Sequence, residues 1–196
     1  MTDDRRPGRP RSERARQAVL TATAGLVTAS GYDVLTIDAI AEKAGVGRQT
    51  IYRWWSSKAS IIAEAVLDGA LAPFDVSAYD DLDPHSLLHS WVEALRVPTN
   101  AALVRALSAA AASDAADSAA LYEHATRASH AALASALRRG QVAGTIRAHL
   151  DAETVADALT GALLYRILTR VPMPDDYAES LLRPFDPRSR RESSRR

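Results

Sequence analysis

Arg48, Gln49, Thr50, Tyr52, Arg53 and Trp54 stand within one stretch of seven residues, GRQTIYRWW being the local sequence. These side chains are long, planar or hydroxyl-bearing, and their chemistry is recognition. Arginine matches the O6 and N7 acceptors of guanine with two parallel donors. Glutamine matches the N6 and N7 of adenine, and threonine adds a methyl contact or a hydroxyl bond. Tyr52, Arg53 and Trp54 suit phosphate and sugar neighbours, which place a reading helix without reading sequence themselves. A solvated amphipathic helix could carry the same residues, so the elements around them decide the matter.

Those elements agree with one another. Ile37, Ile40, Ala41 and Ala44 recur at i, i+3, i+4 and i+7, one face of a short helix. Thr36 precedes it as an N-cap, and Gly45 follows where a left-handed C-cap costs glycine least. Only residues 45–47 separate it from a second helix over 48–55, in which Ile51 and Trp55 face a core together with Val46. Two short helices joined by a glycine-bearing turn have the spacing of a helix-turn-helix, whose second helix enters a major groove. Ser57 then caps a helix over 58–71, with Ile62, Ala65, Val66 and Gly69 on one face. Lys58 lies in the first turn of that helix, where a cation opposes the helix dipole. A phosphate bound at the same N-terminus would resolve the conflict.

The run from Leu35 to Lys58, with Gly31 and Tyr32 ahead and the IIAEA run at 61–65 behind, resembles the DNA-binding domain of the TetR family of transcriptional regulators. The resemblance covers about the first 70 residues. It implies an all-α fold, with an N-terminal three-helix DNA-binding domain and a C-terminal helical domain for ligand binding and dimerisation. It also implies a homodimer on a palindromic operator of double-stranded DNA, most often as a repressor, released by a small-molecule effector, here expected to be apolar. Thr36, Arg48, Gln49, Thr50, Tyr52, Arg53, Trp54 and Lys58 are the DNA-binding residues it implies, with Lys58 at the phosphate backbone. One position departs from the pattern. Gly47 stands where the family often carries a serine, so a possible phosphate-binding hydroxyl is missing while the cap itself survives.

Composition is consistent with this reading. The net charge of zero conceals an asymmetry: residues 1–58 carry ten Lys/Arg against six Asp/Glu, whereas residues 59–183 carry nine against sixteen. A basic head on an acidic body suits a one-ended binder of phosphate. The absence of cysteine excludes disulfides and thiolate chemistry and fits a reducing cytoplasm. No apolar run is long enough for a membrane span, and the first residues lack the apolar core of a signal peptide. No catalytic constellation, phosphate-binding glycine loop or nucleophile elbow is present, so an enzyme is not expected, nor any cofactor. His85 and His89 are spaced i, i+4 but have no third metal ligand, and His124, His130 and His149 read as structural or surface groups. The alternatives are a DNA binder without a ligand, separable by thermal-shift screening against metabolites, and a small all-α enzyme or binding protein.

The remainder of the chain reads as follows. Residues 1–13 form a disordered basic arm whose arginines suit either a minor groove or plain phosphates. A helix over 13–30 packs Val19, Ala22 and Leu26 inward, and Tyr32 packs beneath the helix-turn-helix. The DNA-binding domain spans 14–72, and 72–84, with two prolines and four aspartates, is the connection. The second domain spans 84–183, with helices over 85–97, 99–112, 116–139, 151–170 and 176–183, and a break bracketed by Gly140 and Gly144. In the fourth of these, Val155, Leu159, Leu163 and Ile167 form a ridge expected to pair with a symmetry mate, together with the short helix near 177–182. Residues 184–196 are a basic tail, expected to be disordered.

Overall fold

The computed structural model of the chain describes residues 9–71, 81–113, 121, 123 and 126–189. Within them all regular structure is helical. Helix α1 (Arg9–Ser30) begins four residues before its expected start. Pro10 sits in its first turn, where a missing N–H leaves no bond unmade. The expected arm therefore retains only residues 1–8, which lie outside the described residues.

The helix-turn-helix follows as α2 (Ile37–Ala44) and α3 (Arg48–Tyr52), the latter three residues shorter than the sequence pattern suggests. Helix α4 (Lys58–Leu67) starts in a capping box: Ser57 Oγ accepts from Ser60 N at 3.1 Å, and Ser60 Oγ accepts from Ser57 N at 3.2 Å. Helix α5 (Pro84–Arg96) is capped by Asp83, and Val97 alone separates it from α6 (Pro98–Ser113). The N-terminal half of the expected 116–139 helix falls largely outside the described residues. Its remainder is α7 (Arg127–Val142), which runs straight through Gly140.

The expected break at Gly140 is thus corrected, and the reason is steric. A Cβ there would lie 2.8 Å from Ile146 Cγ1 and 2.9 Å from Pro84 Cγ, so glycine lets α5 and the 145–150 connector close against α7. Helix α8 (Ala152–Thr169), capped by Asp151, and α9 (Tyr177–Leu182) complete the body. The basic tail is corrected in part as well. Residues 184–189 are docked, since Phe185 O accepts from Arg147 N at 2.9 Å and the Arg147 guanidinium donates to Asp186 O at 3.3 Å. Residues 190–196 lie outside the described residues.

Packing divides the helices differently from chain order. One core joins α1–α4 with α6 through Leu20, Ile40, Ile51, Ile61, Ile62, Leu103 and Ala106. A second joins α5, α7, α8 and α9 through Leu87, Leu88, Leu133, Leu137, Leu159 and Leu182. The ridge Val155, Leu159, Leu163 and Ile167 is buried inside the protomer, each residue no more than 5% exposed. Tyr177, Ala178 and Leu182 are buried with it, so neither set is available to a symmetry mate. What α8 presents outward is a different stripe: Ala158, Gly161, Tyr165 and Leu168, all exposed.

Candidate nucleic-acid interface

Local chemistry shapes the two short helices as the sequence pattern requires. Thr36 Oγ1 accepts from Ala39 N at 3.1 Å. Gly45 adopts φ +66° and donates its N–H to carbonyls of Ala41 and Glu42, closing α2 in a left-handed turn. Gly47 is the N-cap of α3 and offers no side-chain acceptor. Ile51 is wholly buried and Trp55 nearly so, and these two fix the rotation of α3 about its axis.

That rotation leaves Arg48, Gln49, Tyr52 and Arg53 exposed on the opposite side, with Thr50 half-buried between them. Arg48 folds back into an ion pair with Asp38 on α2. Both partners are more than half exposed, so the pair is worth about 0–1 kcal/mol and releases easily. Trp54 is partly buried. It lies edge-on to Trp55 with ring centres 5.4 Å apart, and the Arg53 guanidinium covers its face at 5.4 Å. A cationic, hydrogen-bonding surface results, on a helix whose inward side is set by Ile51 and Trp55.

Lys58 is placed differently from its expected position on a phosphate. Its ammonium turns inward, donating to Leu35 O at 2.9 Å and Tyr32 O at 3.2 Å, and sits 4.3 Å from the centre of the Tyr32 ring. Burial, and then the nearby Asp33 carboxylate, push the Tyr32 phenol above its usual range and keep that ring neutral. The conflict between a cation and the first turn of α4 is thereby met by carbonyls and a π face of the 31–35 segment.

Sequence reasoning missed the residues that brace this surface. The Trp55 indole N–H donates to one Glu64 oxygen, and Arg16 Nε donates to the other at 2.5 Å. Arg16 and Gln17 also reach Asp68, at 3.3 and 2.9 Å. One carboxylate on α4 thus ties α1 to the end of the recognition segment. A signal for it existed: Glu64 interrupts an otherwise apolar run at 61–66, and a buried indole N–H demands a partner. Among the described residues no three His, Cys, Asp or Glu side chains are grouped to hold a metal ion. No helix among them is long and apolar enough to cross a membrane.

Comparison with known proteins identifies both halves of the chain. Residues 19–65 match the family described as bacterial regulatory proteins, tetR family, and residues 77–184 match the tetracyclin repressor-like C-terminal domain. The uncharacterized HTH-type transcriptional regulator YdeS of Bacillus subtilis is 32% identical over 183 residues, covering 89% of each chain. The solved TetR family regulator SCO0332 is 27% identical with a TM-score of 0.53, covering 86% of this chain and 94% of its own. A regulator from Saccharomonospora viridis, solved with choline, shares the fold at 23% identity and a TM-score of 0.57, covering 86% of this chain and 94% of its own. With both halves of the chain matched and a relative aligned over nearly its whole length, this protein belongs to the TetR family of helix-turn-helix, DNA-binding transcriptional regulators and is not an enzyme.

Proposed function

We propose that the protein is a ligand-responsive repressor that binds a palindromic operator as a homodimer. The observation that carries this reading is the exposed polar face of α3, held in rotation by buried Ile51 and Trp55. In the bound state α3 enters the major groove. Arg48 exchanges Asp38 for a guanine, Gln49 reads an adenine, and Thr50 adds a contact from the same turn. Tyr52, Arg53 and Trp54 meet the sugar–phosphate backbone, with Thr36 at the start of α2 beside it. Lys58 acts from inside, holding the 31–35 segment against α4.

The outer stripe of α8 is the proposed dimer face. Gly161 lies mid-helix with nothing near the place a Cβ would occupy, although a mid-helix glycine costs about 1 kcal/mol against alanine. Close approach of a second α8 would give that glycine a purpose, flanked by exposed Tyr165 and Leu168. A small-molecule effector fits a fold whose relative from Saccharomonospora viridis was solved with choline. Its effect on DNA requires different affinities for the two states of the dimer.

Selection from a random duplex pool tests the reading. The expected product is a palindrome whose half-sites lie about 34–36 Å apart or a multiple of a helical turn. Gln49→Ala should then weaken the selected site more than scrambled DNA, by about 1–3 kcal/mol. Recovery of no duplex, or of unpaired single sites, would remove the symmetric-operator reading.

A further inference from the structure

A cleft of about 560 Å³ opens where the DNA-binding head meets the body, a size typical of small-molecule sites. Arg96, Arg105, Arg166 and Arg170 line it against two carboxylates, Asp33 and Asp175. Two of the arginines are engaged elsewhere. Arg96 donates to Pro174 O at 2.6 Å and pairs with Glu93 and Asp175, while Arg166 donates to Pro172 O at 3.0 Å and covers the Tyr177 ring. Arg105 and Arg170 instead share a single acceptor, Asp33 Oδ2, at 2.8 and 3.5 Å.

The Arg105 side chain is only 16% exposed, and its Nε is buried without a hydrogen-bond partner while its Nη2 holds Asp33. Nε and Nη2 form the edge of a guanidinium that takes a planar carboxylate by two parallel bonds. Half of that edge is unfilled, which a buried donor normally is not. Ile167, Val171 and Met173 add apolar wall beside it.

We propose that this cleft binds a small organic carboxylate on an apolar body, which displaces Asp33 from Arg105 and Arg170. The site therefore takes an effector that is anionic as well as apolar. Its regulatory consequence rests on the repressor reading given above. Asp33 follows Tyr32, whose carbonyl, with that of Leu35, holds the Lys58 ammonium. Detaching Asp33 releases the segment that seats α4 and leads into α2. A ligand that binds only the detached state shifts the population toward it.

Calorimetric titration of the full chain without DNA, at one ionic strength, tests the site with three probes: octanoate, octanamide and inorganic phosphate. Octanoate should bind saturably at one per chain, with octanamide and phosphate each at least tenfold weaker. Asp33→Asn removes the internal competitor and should tighten octanoate about tenfold, the value of one charge-assisted hydrogen bond. Arg105→Gln should abolish binding, and exposed Arg170→Gln should weaken it even if the first variant folds poorly. Equal affinity for octanamide or phosphate, an unchanged affinity in Asp33→Asn, or no saturable octanoate binding to wild type and Asp33→Asn alike would overturn the site. Because no DNA is present, these outcomes hold whether or not an operator is found. With a selected duplex added, octanoate should weaken DNA binding in wild type but not in Arg105→Gln. An unaltered DNA affinity at saturating octanoate would overturn the gating.

Discussion

The two cores of this molecule are held together by different means. The second core is closed mainly by apolar contact: Leu87, Leu88, Leu133, Ala134, Ala136, Leu137 and Leu159 are at most 1% exposed. Its polar fittings lie around the rim: Asp83 and Asp151 cap helices, His130 and Arg138 meet Asp157 and Glu153 between α7 and α8, and the Tyr177 hydroxyl donates to Ala162 O at 3.2 Å. The first core borrows α6 from the body, with Leu103, Ala106 and Ala110 packed beneath the head. It is also threaded by directional bonds, Glu64 to Trp55 and Arg16, and Lys58 to two carbonyls. Apolar burial of Ile51 and Trp55 decides which side of α3 turns inward, but the attraction itself is non-directional. Hydrogen bonds, whose geometry is specific, then narrow that rotation for a helix that must face a groove.

This contrast predicts unequal consequences for truncation. Leu137→Ala in the second core should cost about 2–5 kcal/mol of stability, since leucine truncations at well-packed sites fall in that range. The DNA affinity of the molecules that remain folded should not change. Chemical denaturation followed by circular dichroism, with DNA binding by fluorescence anisotropy, separates the two quantities. A loss of DNA affinity exceeding the loss of folded protein would break the comparison, because the second core would then be setting the position of the head.

Glu64→Ala should behave the opposite way. It leaves the Arg16 guanidinium, 27% exposed, without its closest carboxylate and the Trp55 indole N–H without an acceptor. A buried group stripped of its partner costs about 1–3 kcal/mol. The expected stability loss is of that order, and DNA affinity should fall further than stability accounts for, since α3 loses its tie to α1. Equal losses in both measurements would mean that packing of Ile51 and Trp55 suffices to orient the helix.

Which of these features are legible in the sequence follows from their range in the chain. Thr36, Gly45 and Ser57 are readable because a cap is settled within three or four residues. The helix-turn-helix is readable because periodicity, cap and turn coincide. The ridge on α8 is legible as apolar but not as inward-facing, because that helix carries apolar residues on both sides and periodicity cannot say which side meets its own chain. Gly140 reads as a breaker, whereas its role depends on Ile146 and Pro84 arriving from other elements. The Asp33–Arg105 pair spans 72 residues and leaves no local trace.

Lys58→Met sharpens the comparison at one atom, keeping the apolar stem and removing the ammonium. The inward geometry predicts a modest fall in DNA affinity, about 1 kcal/mol, as the 31–35 segment loosens. It also predicts an unchanged dependence of log K on log salt. A lysine on a phosphate would instead flatten that slope by about 0.9, the signature of one released counterion. The slope, measured by anisotropy across a salt series, thus separates a positioning lysine from a contacting one.

The smallest effect belongs to the surface fittings of the second core. Asp83 Oδ1 accepts from His85 N at 2.9 Å and Ser86 N at 3.2 Å, and Oδ2 accepts from the Ser86 hydroxyl at 2.6 Å. The Ser86 hydroxyl bond first, against an opposing burial cost that ranks second, and then the two backbone donors and nearby His85 hold this carboxyl below the usual range. Asp151 is lowered in the same way, chiefly by Thr154. A depressed folded-state pKa means that the cap's stabilisation is complete above the unfolded value, near pH 4. It is lost as pH falls through the lower folded value. Asp83→Ala should cost about 1 kcal/mol at neutral pH, the ordinary worth of an N-cap. Below about pH 4 the difference between variant and wild type should shrink, because protonation has already weakened the same cap. Denaturation midpoints at neutral pH and at about pH 3 test this directly. A difference that persists undiminished in acid would show that Asp83 acts through packing rather than through its charge.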